Sequence, residues 1–283
     1  EPNSDVVLTI ASGDTGEATT TGTLTFSPAN WDTPQTITVT GVDDDIIDGT
    51  ITSTITIAVD DANSDNNFDS VDDQTVSATT ADDDVAGFTI VESGGSTSVD
   101  ESGTTDTFTV VLDAQPAISE KVVLTISSDD TGEATVSGTL TFLPEDWDTP
   151  QTVTVTGVDE NIIDGNQSST VTVTVVDSIS DNDFHSVDDQ TVSVTTTDDD
   201  VAGFTIAESN GATEVAESGT TDTFTIVLDA EPTSDVVLTI TSDDTGEATV
   251  NSPLTFTPAN WDTPQTITVT GVDDDIIDGT ITS

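Results

Sequence analysis

Apolar and polar residues alternate in short runs along the whole chain. Thr152-Val153-Thr154-Val155-Thr156 and Val171-Thr172-Val173-Thr174-Val175 put Val on one side of an extended backbone and Thr on the other. That is the period-2 pattern of a strand with one face in a core and one in water. No stretch follows the 3.6-residue period of a helix. Between Val85 and Asp200 the alternation predicts seven strands, at 86–92, 106–113, 121–127, 134–142, 149–157, 169–177 and 189–197. Turn chemistry separates them: Gly94-Gly95, Ser102-Gly103, Gln115-Pro116, Asp129–Gly132, Pro144, Asp164-Gly165 and an Asp/Asn-rich stretch at 177–183. Seven short strands at this spacing indicate an all-β fold, an antiparallel β-sandwich of immunoglobulin-like size. A unit that long buries about two thirds of its surface and needs no staples. Phe88, Phe108, Phe142 and Trp147 are its predicted bulky fillers.

The pattern recurs. Trp31-Asp32-Thr33-Pro34-Gln35 returns at Trp147 and at Trp261, and Asp82–Phe88 returns at Asp198–Phe204. Residues 231–283 match residues 1–53 at all but eight positions. The period far exceeds the 20–50 residues of a solenoid, so each unit is expected to be a domain in a tandem array. Three domains are expected: 1–84 with the last five strands of a sandwich, 85–200 complete, and 201–283 with the first five strands. The pattern starts and stops within a repeat, so the lack of a targeting signal says nothing about the parent protein.

Composition then narrows the chemistry. Among 283 residues, 56 are acidic and one is Lys or Arg, a formal charge of −55. Nucleic acid and anionic lipid are excluded as electrostatic partners; cations are attracted. The hydrophobic fraction of 33 % would suit a disordered chain, but the Thr/Val/Ile alternation argues for strands. Cysteine is absent, which excludes disulfides and thiolate metal sites. No apolar run approaches the ~18 residues of a membrane helix. His185 is the only imidazole, there is no Ser–His–carboxylate set and no phosphate-cradling Gly loop, so enzymatic activity is not expected.

The acids cluster at strand ends. Asp43, Asp44, Asp45 and Asp48 recur as Asp159, Glu160 and Asp164, and again as Asp273, Asp274, Asp275 and Asp278. Asp82, Asp83 and Asp84 recur as Asp198, Asp199 and Asp200 where one unit hands over to the next. Asp14 has counterparts at Asp130 and Asp244. In a sandwich, the loop after the fifth strand and the end of the seventh can share one pole. Two like charges 4 Å apart cost about 4 kcal/mol at an effective dielectric of 20, and Lys121 is the only cationic side chain. Either several carboxylates stay protonated, or an acidic solvated surface holds diffuse counterions, or bound metal neutralises the cluster; the repeated placement of the acids at the joints favours metal. All-oxygen ligands select a hard cation, and many flexible carboxylates suit Ca²⁺, several ions per repeat, better than Mg²⁺. A further loop, Asp61, Asn63, Asp65, Asn67 and Asp69 with Asp72, has the alternation of an EF-hand loop but lacks its central Gly, closing Glu and flanking helices. A polar turn with Asx hydrogen bonds is the other reading.

These residues resemble the Calx-beta repeats of very large bacterial surface proteins. The likeness rests on Ala86–Ile90 leading to Glu92, Glu101-Ser102-Gly103-Thr104, Leu140-Thr141-Phe142, Trp147–Gln151, Val155–Asp159 and Thr195–Asp200, and it covers the whole chain. It implies a seven-stranded Greek-key sandwich with calcium ions clustered at one pole beside the exit strand. It also implies a ligand on strand one, Glu92 or Glu208, joining the Asp14-type loop, the loop after strand five and the exit strand. Copy two departs in carrying Glu160-Asn161 where the other copies have two Asp. The expected role is the shaft of an extracellular bacterial adhesin or surface filament, stiffened by calcium at the joints. Its partners would be neighbouring repeats and, in fibres, further copies of itself. Two alternatives are a calcium-sensing module and a Thr-rich β face that binds ice or glycan.

Overall fold

The computed structural model describes residues 1–277 and 279–282; Asp278 lies outside the described residues. The middle repeat carries nine strands: β7 (Phe88–Glu92), β8 (Thr97–Asp100), β9 (Thr105–Leu112), β10 (Val122–Ser128), β11 (Ala134–Val136), β12 (Thr139–Phe142), β13 (Gln151–Gly157), β14 (Gln167–Val175) and β15 (Gln190–Thr197). They form two sheets, β11-β13-β9-β7 and β12-β10-β14-β15-β8. The alternation that predicts the strands also builds the core between them. Val153, Val155, Val171, Val173 and Val194 are fully buried, while the intervening Thr residues face outward. Phe88, Phe108 and Phe142 fill the centre as expected, and Trp147 packs against the core while only partly buried. Phe184, on the short 3₁₀ turn Asn182–Phe184, is a fourth buried ring that periodicity does not reveal, because a turn has no side-chain period.

Two details depart from seven continuous antiparallel strands. The predicted strand 134–142 is broken: β11 pairs with β13 in one sheet and β12 with β10 in the other. Strand one is also divided. After β7, Gly94 and Gly95 take positive φ (69° and 82°) in a tight 3₁₀ turn, a backbone that favours glycine. The chain then crosses to the opposite sheet as β8, which runs parallel to β15. Asp106 clamps this crossover, accepting from Ser93 Oγ at 2.5 Å and the Ser98 N–H at 2.9 Å. The short β8 has no alternation long enough to be legible in the sequence.

The flanking repeats carry the same strands in part. In the first, β1 (Val6–Ser12), β3 (Thr23–Phe26), β5 (Ile51–Val59) and β6 (Gln74–Thr80) make a sheet ordered β3-β1-β5-β6, and β2 (Ala18–Thr20) pairs with β4 (Val39–Gly41). In the third, β16 (Phe204–Glu208), β17 (Thr221–Leu228), β19 (Ala248–Val250) and β21 (Gln265–Gly271) make a sheet ordered β16-β17-β21-β19. There β18 (Val236–Leu238) pairs with β20 (Leu254–Phe256). Residues 213–216, which match β8, form no strand there.

Candidate metal centre

Four segments meet at one pole of the middle repeat: the end of β8, the turn before β11, the loop after β13 and the exit from β15. Backbone contacts lock them together. The Glu101 N–H donates to the Thr197 carbonyl at 3.1 Å, and the Val158 N–H to the Glu133 carbonyl at 2.9 Å. The Gly165 N–H donates to Asp198 Oδ2 at 2.7 Å. At the end of β13 a side chain is excluded, because a Cβ on Gly157 would collide with the Asp100 carbonyl. This close approach seats the residue after Asp100 directly over the pole.

That residue is Glu101, which is completely buried, with neither carboxylate oxygen hydrogen-bonded. Its oxygens lie within 4.8 Å of those of Asp198 and Asp200 on one side, and of Glu160 and Asp164 on the other. Burial, then the charge of Asp198, push its pKa up to about 7; Glu133 and Glu160 add to the rise. The Asp199 backbone amide pulls the other way without reaching hydrogen-bond geometry. Glu133, Glu160 and Asp200 are also raised, each by burial first. Asp164 is the leading charge acting on Glu133 and Glu160, and Asp198 is the leading one on Asp200. Each of these three has one buried oxygen without a partner: Glu133 Oε2, Glu160 Oε1 and Asp200 Oδ2. Buried charges are ordinarily paired or hold a metal, and here no cationic side chain is among the causes acting on them. Unpartnered carboxylate oxygens converging from four segments are an all-oxygen donor set of the kind that suits a hard divalent cation.

The matching segments of the first repeat gather their acids in the same way. Glu17, Asp43, Asp44, Asp48, Asp82, Asp83 and Asp84 line a small space of about 20 Å³, room for one ion-sized sphere. Asp82 Oδ2 accepts from the Gly49 N–H at 2.8 Å and its Oδ1 from the Asp84 N–H at 2.9 Å, the geometry of Asp198 in the middle repeat. Those backbone donors lower the pKa of Asp82. Burial, and then neighbouring aspartates, raise Glu17, Asp48 and Asp84; Asp45 and Asp83 contribute to the rise on Asp84. In the third repeat Asp274 Oδ1 accepts from the Ile276 N–H at 2.7 Å, and Asp273 and Asp275 flank it.

Not every predicted ligand joins the pole. Glu92 accepts from Thr97 Oγ1 at 2.8 Å at the crossover from one sheet to the other, and Glu208 from Thr213 Oγ1 at 3.4 Å in the turn after β16. The strand-one carboxylate at the pole is Glu101, nine residues later, because the chain changes sheet in between. Asp14, Asp130 and Asp244 each close an Asx turn with Oδ1, accepting from Gly16, Gly132 and Gly246 at 3.0 Å, and Asp14 and Asp130 stand at the rim of the pole, where their charges help raise Glu17 and Glu133. The inward carboxylates of those turns are Glu17 and Glu133. Both overlooked positions carried a signal: Thr-Gly-Glu-Ala-Thr stands in all three copies, around Glu17, Glu133 and Glu247, and Glu-Ser-Gly-Thr stands at Glu101 and Glu217.

In the EF-hand-like loop Asp65 is buried and accepts from the backbone of Asn3 (2.5 Å), Ser4 (3.3 Å) and Asn67 (3.0 Å), which lowers its pKa. Asn67 Nδ2 donates to Asp65 Oδ1 at 2.8 Å, and Asn63 Nδ2 to Asp60 Oδ2 at 2.8 Å. Asp181, the match of Asp65, likewise accepts from the Ala117 and Asp183 N–H groups at 2.8 and 3.1 Å. These are the hydrogen bonds of a polar turn, with the central carboxylate turned onto backbone donors. His185, in the second copy of the loop, places Nε2 3.2 Å from the Ser180 carbonyl.

No family model and no curated protein matches the sequence. Among solved structures, the fold is similar to domains 4 and 5 of the S-layer protein SbsC, at 20 % identity over 67 % of this chain and 70 % of that one, with a TM-score of 0.32. It is similar to the apo-form Calx CBD1 domain, at 16 % identity over 40 % of this chain and 98 % of that one, TM-score 0.29. It is also similar to the D0–D1 domain of intimin, at 16 % identity over 66 % of this chain and 83 % of that one, TM-score 0.26.

Proposed function

We propose that the chain is a non-enzymatic, calcium-binding segment of a cell-surface tandem-repeat protein, in which calcium at the sandwich poles holds successive domains of the Calx-beta type in an extended shaft. The domains of this reading are 1–84, 85–200 and 201–283. One observation carries it: Glu101 is fully buried, has no hydrogen-bond partner, and faces Asp198, Asp200, Glu160 and Asp164. Left without a counter-charge, the cluster forces protons onto acids that are ordinarily ionised. A divalent cation supplies the charge and accepts the orphaned oxygens at once. In the middle repeat the ligands are Glu101, Glu133, Glu160, Asp164, Asp198 and Asp200. In the first they are Glu17, Asp44, Asp48, Asp82 and Asp84.

Calorimetric titration with CaCl₂ and with MgCl₂ after EGTA dialysis tests the metal, and small-angle scattering of the same samples tests the shaft. Saturable Ca²⁺ binding that MgCl₂ does not reproduce, with a larger maximum dimension in calcium, is the expected outcome. Absence of saturable Ca²⁺ binding removes the metal reading. Binding without a change in dimension removes the mechanical role alone.

A further inference from the structure

The loop that carries the acids after the fifth strand has a second face, and that face touches the next repeat. Ile46 forms a parallel β-bridge with Gln115 across the repeat boundary. The Gln115 N–H donates to the Asp45 carbonyl at 2.7 Å, and the Ile47 N–H returns a bond to the Gln115 carbonyl at 3.4 Å. Ile47 packs against the core cluster of the middle repeat. Gln115 is fixed in turn, its Nε2 donating to the Pro144 carbonyl at 3.0 Å, and Pro116 behind it is buried. The contact recurs one repeat later, where Ile162 bridges Glu231 and the Glu231 N–H donates to the Asn161 carbonyl at 2.6 Å.

The two joints are unequal. At the second, the return bond from Ile163 does not reach hydrogen-bond geometry, and Ile163 is 38 % exposed. Ile47 gains a packing site by docking forward onto the middle repeat.

We propose that the Asp45–Ile47 loop is a directional clasp which, through its backbone bridge to Gln115 and the seat of Ile47 against the following core, fixes the angle between the first and second repeats, and that the Asn161–Ile163 clasp is its looser copy. The clasp consists of peptide and aliphatic contacts that add to any restraint a cation at the pole supplies. Linked domains with small contacts swing by default; a bridge with a seated side chain removes that freedom in one register only. The effect is local to each joint, so one array holds a stiff and a compliant connection.

The test uses the full chain, whose lack of cysteine permits unique spin labels. Nitroxides at Thr54→Cys and Thr191→Cys report the first joint, and at Thr191→Cys and Thr255→Cys the second. Pulsed dipolar distance distributions are recorded in CaCl₂ and again in EGTA, each variant being compared with its parent in the same buffer, so that loss of metal cannot mimic loss of the clasp. The expected result is a narrower distribution at the first joint than at the second. Ile47→Ser should broaden the first to the width of the second in both buffers, while Ile163→Ser leaves the first unchanged. An unaltered first distribution in Ile47→Ser, with circular dichroism showing the strands intact, overturns the proposal, as does a first joint wider than the second. If Ile47→Ser unfolds the first repeat, Ile47→Val, which keeps the strand preference and shortens the seated side chain, is read in its place by the same criterion.

Discussion

The carboxylates of Glu101 and Glu160 come from opposite sheets and present oxygens within 4.8 Å of each other, with both Glu101 oxygens and Glu160 Oε1 lacking any hydrogen-bond partner. Two unpartnered acids held face to face by packed strands amount to a stored repulsion. The conditions that relieve it, protonation, charge removal or a cation, should each leave a measurable mark.

The first mark is a pH dependence of unusual sign. In the metal-free protein burial and the charge of Asp198 push the pKa of Glu101 up to about 7 from the ordinary 4.5, so the folded state binds the proton more tightly than the unfolded state. A raised acid contributes stability while it stays protonated, and that contribution drains away as pH rises from about 4.5 to about 7. Glu133, Glu160 and Asp200 are raised in the same direction. Asp65, Asp82, Asp100 and Asp106 are lowered, so their contribution is present above the unfolded value of 3.8 and lost as pH falls below it. Thermal melts in EGTA should therefore show Tm falling between pH 4.5 and 7. A Tm that rises across that window would show that the pole is not under charge strain.

Glu101→Gln keeps the shape and deletes the charge. The metal-free variant should melt above the parent near pH 7, where the parent carries an unpaired buried acid. Its calcium affinity should fall by about tenfold or more, roughly 1.4 kcal/mol. Glu92→Gln, at the sheet crossover, should bind calcium as the parent does. Titration calorimetry on the pair separates strand-one ligand from strand-one bystander.

Gly157→Ala should cost about 2–4 kcal/mol, because the added methyl meets the Asp100 carbonyl and the backbones of β13 and β8 must part. Displacing β8 also displaces Glu101, so calcium affinity should drop along with stability. Gly271, its match in the third repeat, meets the Ala216 carbonyl in the same way, and Gly271→Ala should be destabilising too. Urea melts of the two variants check the cost.

Asp181→Ala should lower stability by about 1–3 kcal/mol by leaving the Ala117 and Asp183 N–H groups without their acceptor. Calcium binding should be untouched, since this carboxylate clasps a turn remote from the acidic pole. A loss of bound calcium in this variant would restore the metal reading of the 61–72 loop and its copy.

The strands of the middle repeat were legible because each spans enough residues for Thr/Val alternation to show, and Val153, Val155, Val171 and Val173 lie on the predicted inner face. The four-residue β8 was not, and with it went the position of Glu101, since a reader who runs strand one straight on places its carboxylate at Glu92. The acidic loops after β13 and β15 were visible as charge runs. Glu133 was overshadowed by Asp129 and Asp130 just before it, and only the recurrence of Thr-Gly-Glu-Ala-Thr marks it.

Sequence alone determined that this chain is a tandem all-β protein, which side of each strand is apolar, and that its acids outnumber any internal cations by a margin only external charge can balance. Those properties are local or compositional, fixed by side-chain period and by counting. Tertiary structure decided which carboxylates bear the strain. Glu101 and Asp200 stand ninety-nine residues apart, and they share a pole only because strand one changes sheet and runs beside the exit strand. Whether an acid is buried without a partner, like Glu101, or turned onto backbone donors, like Asp181, depends on which loops close over it, and no pattern along a single strand carries that information.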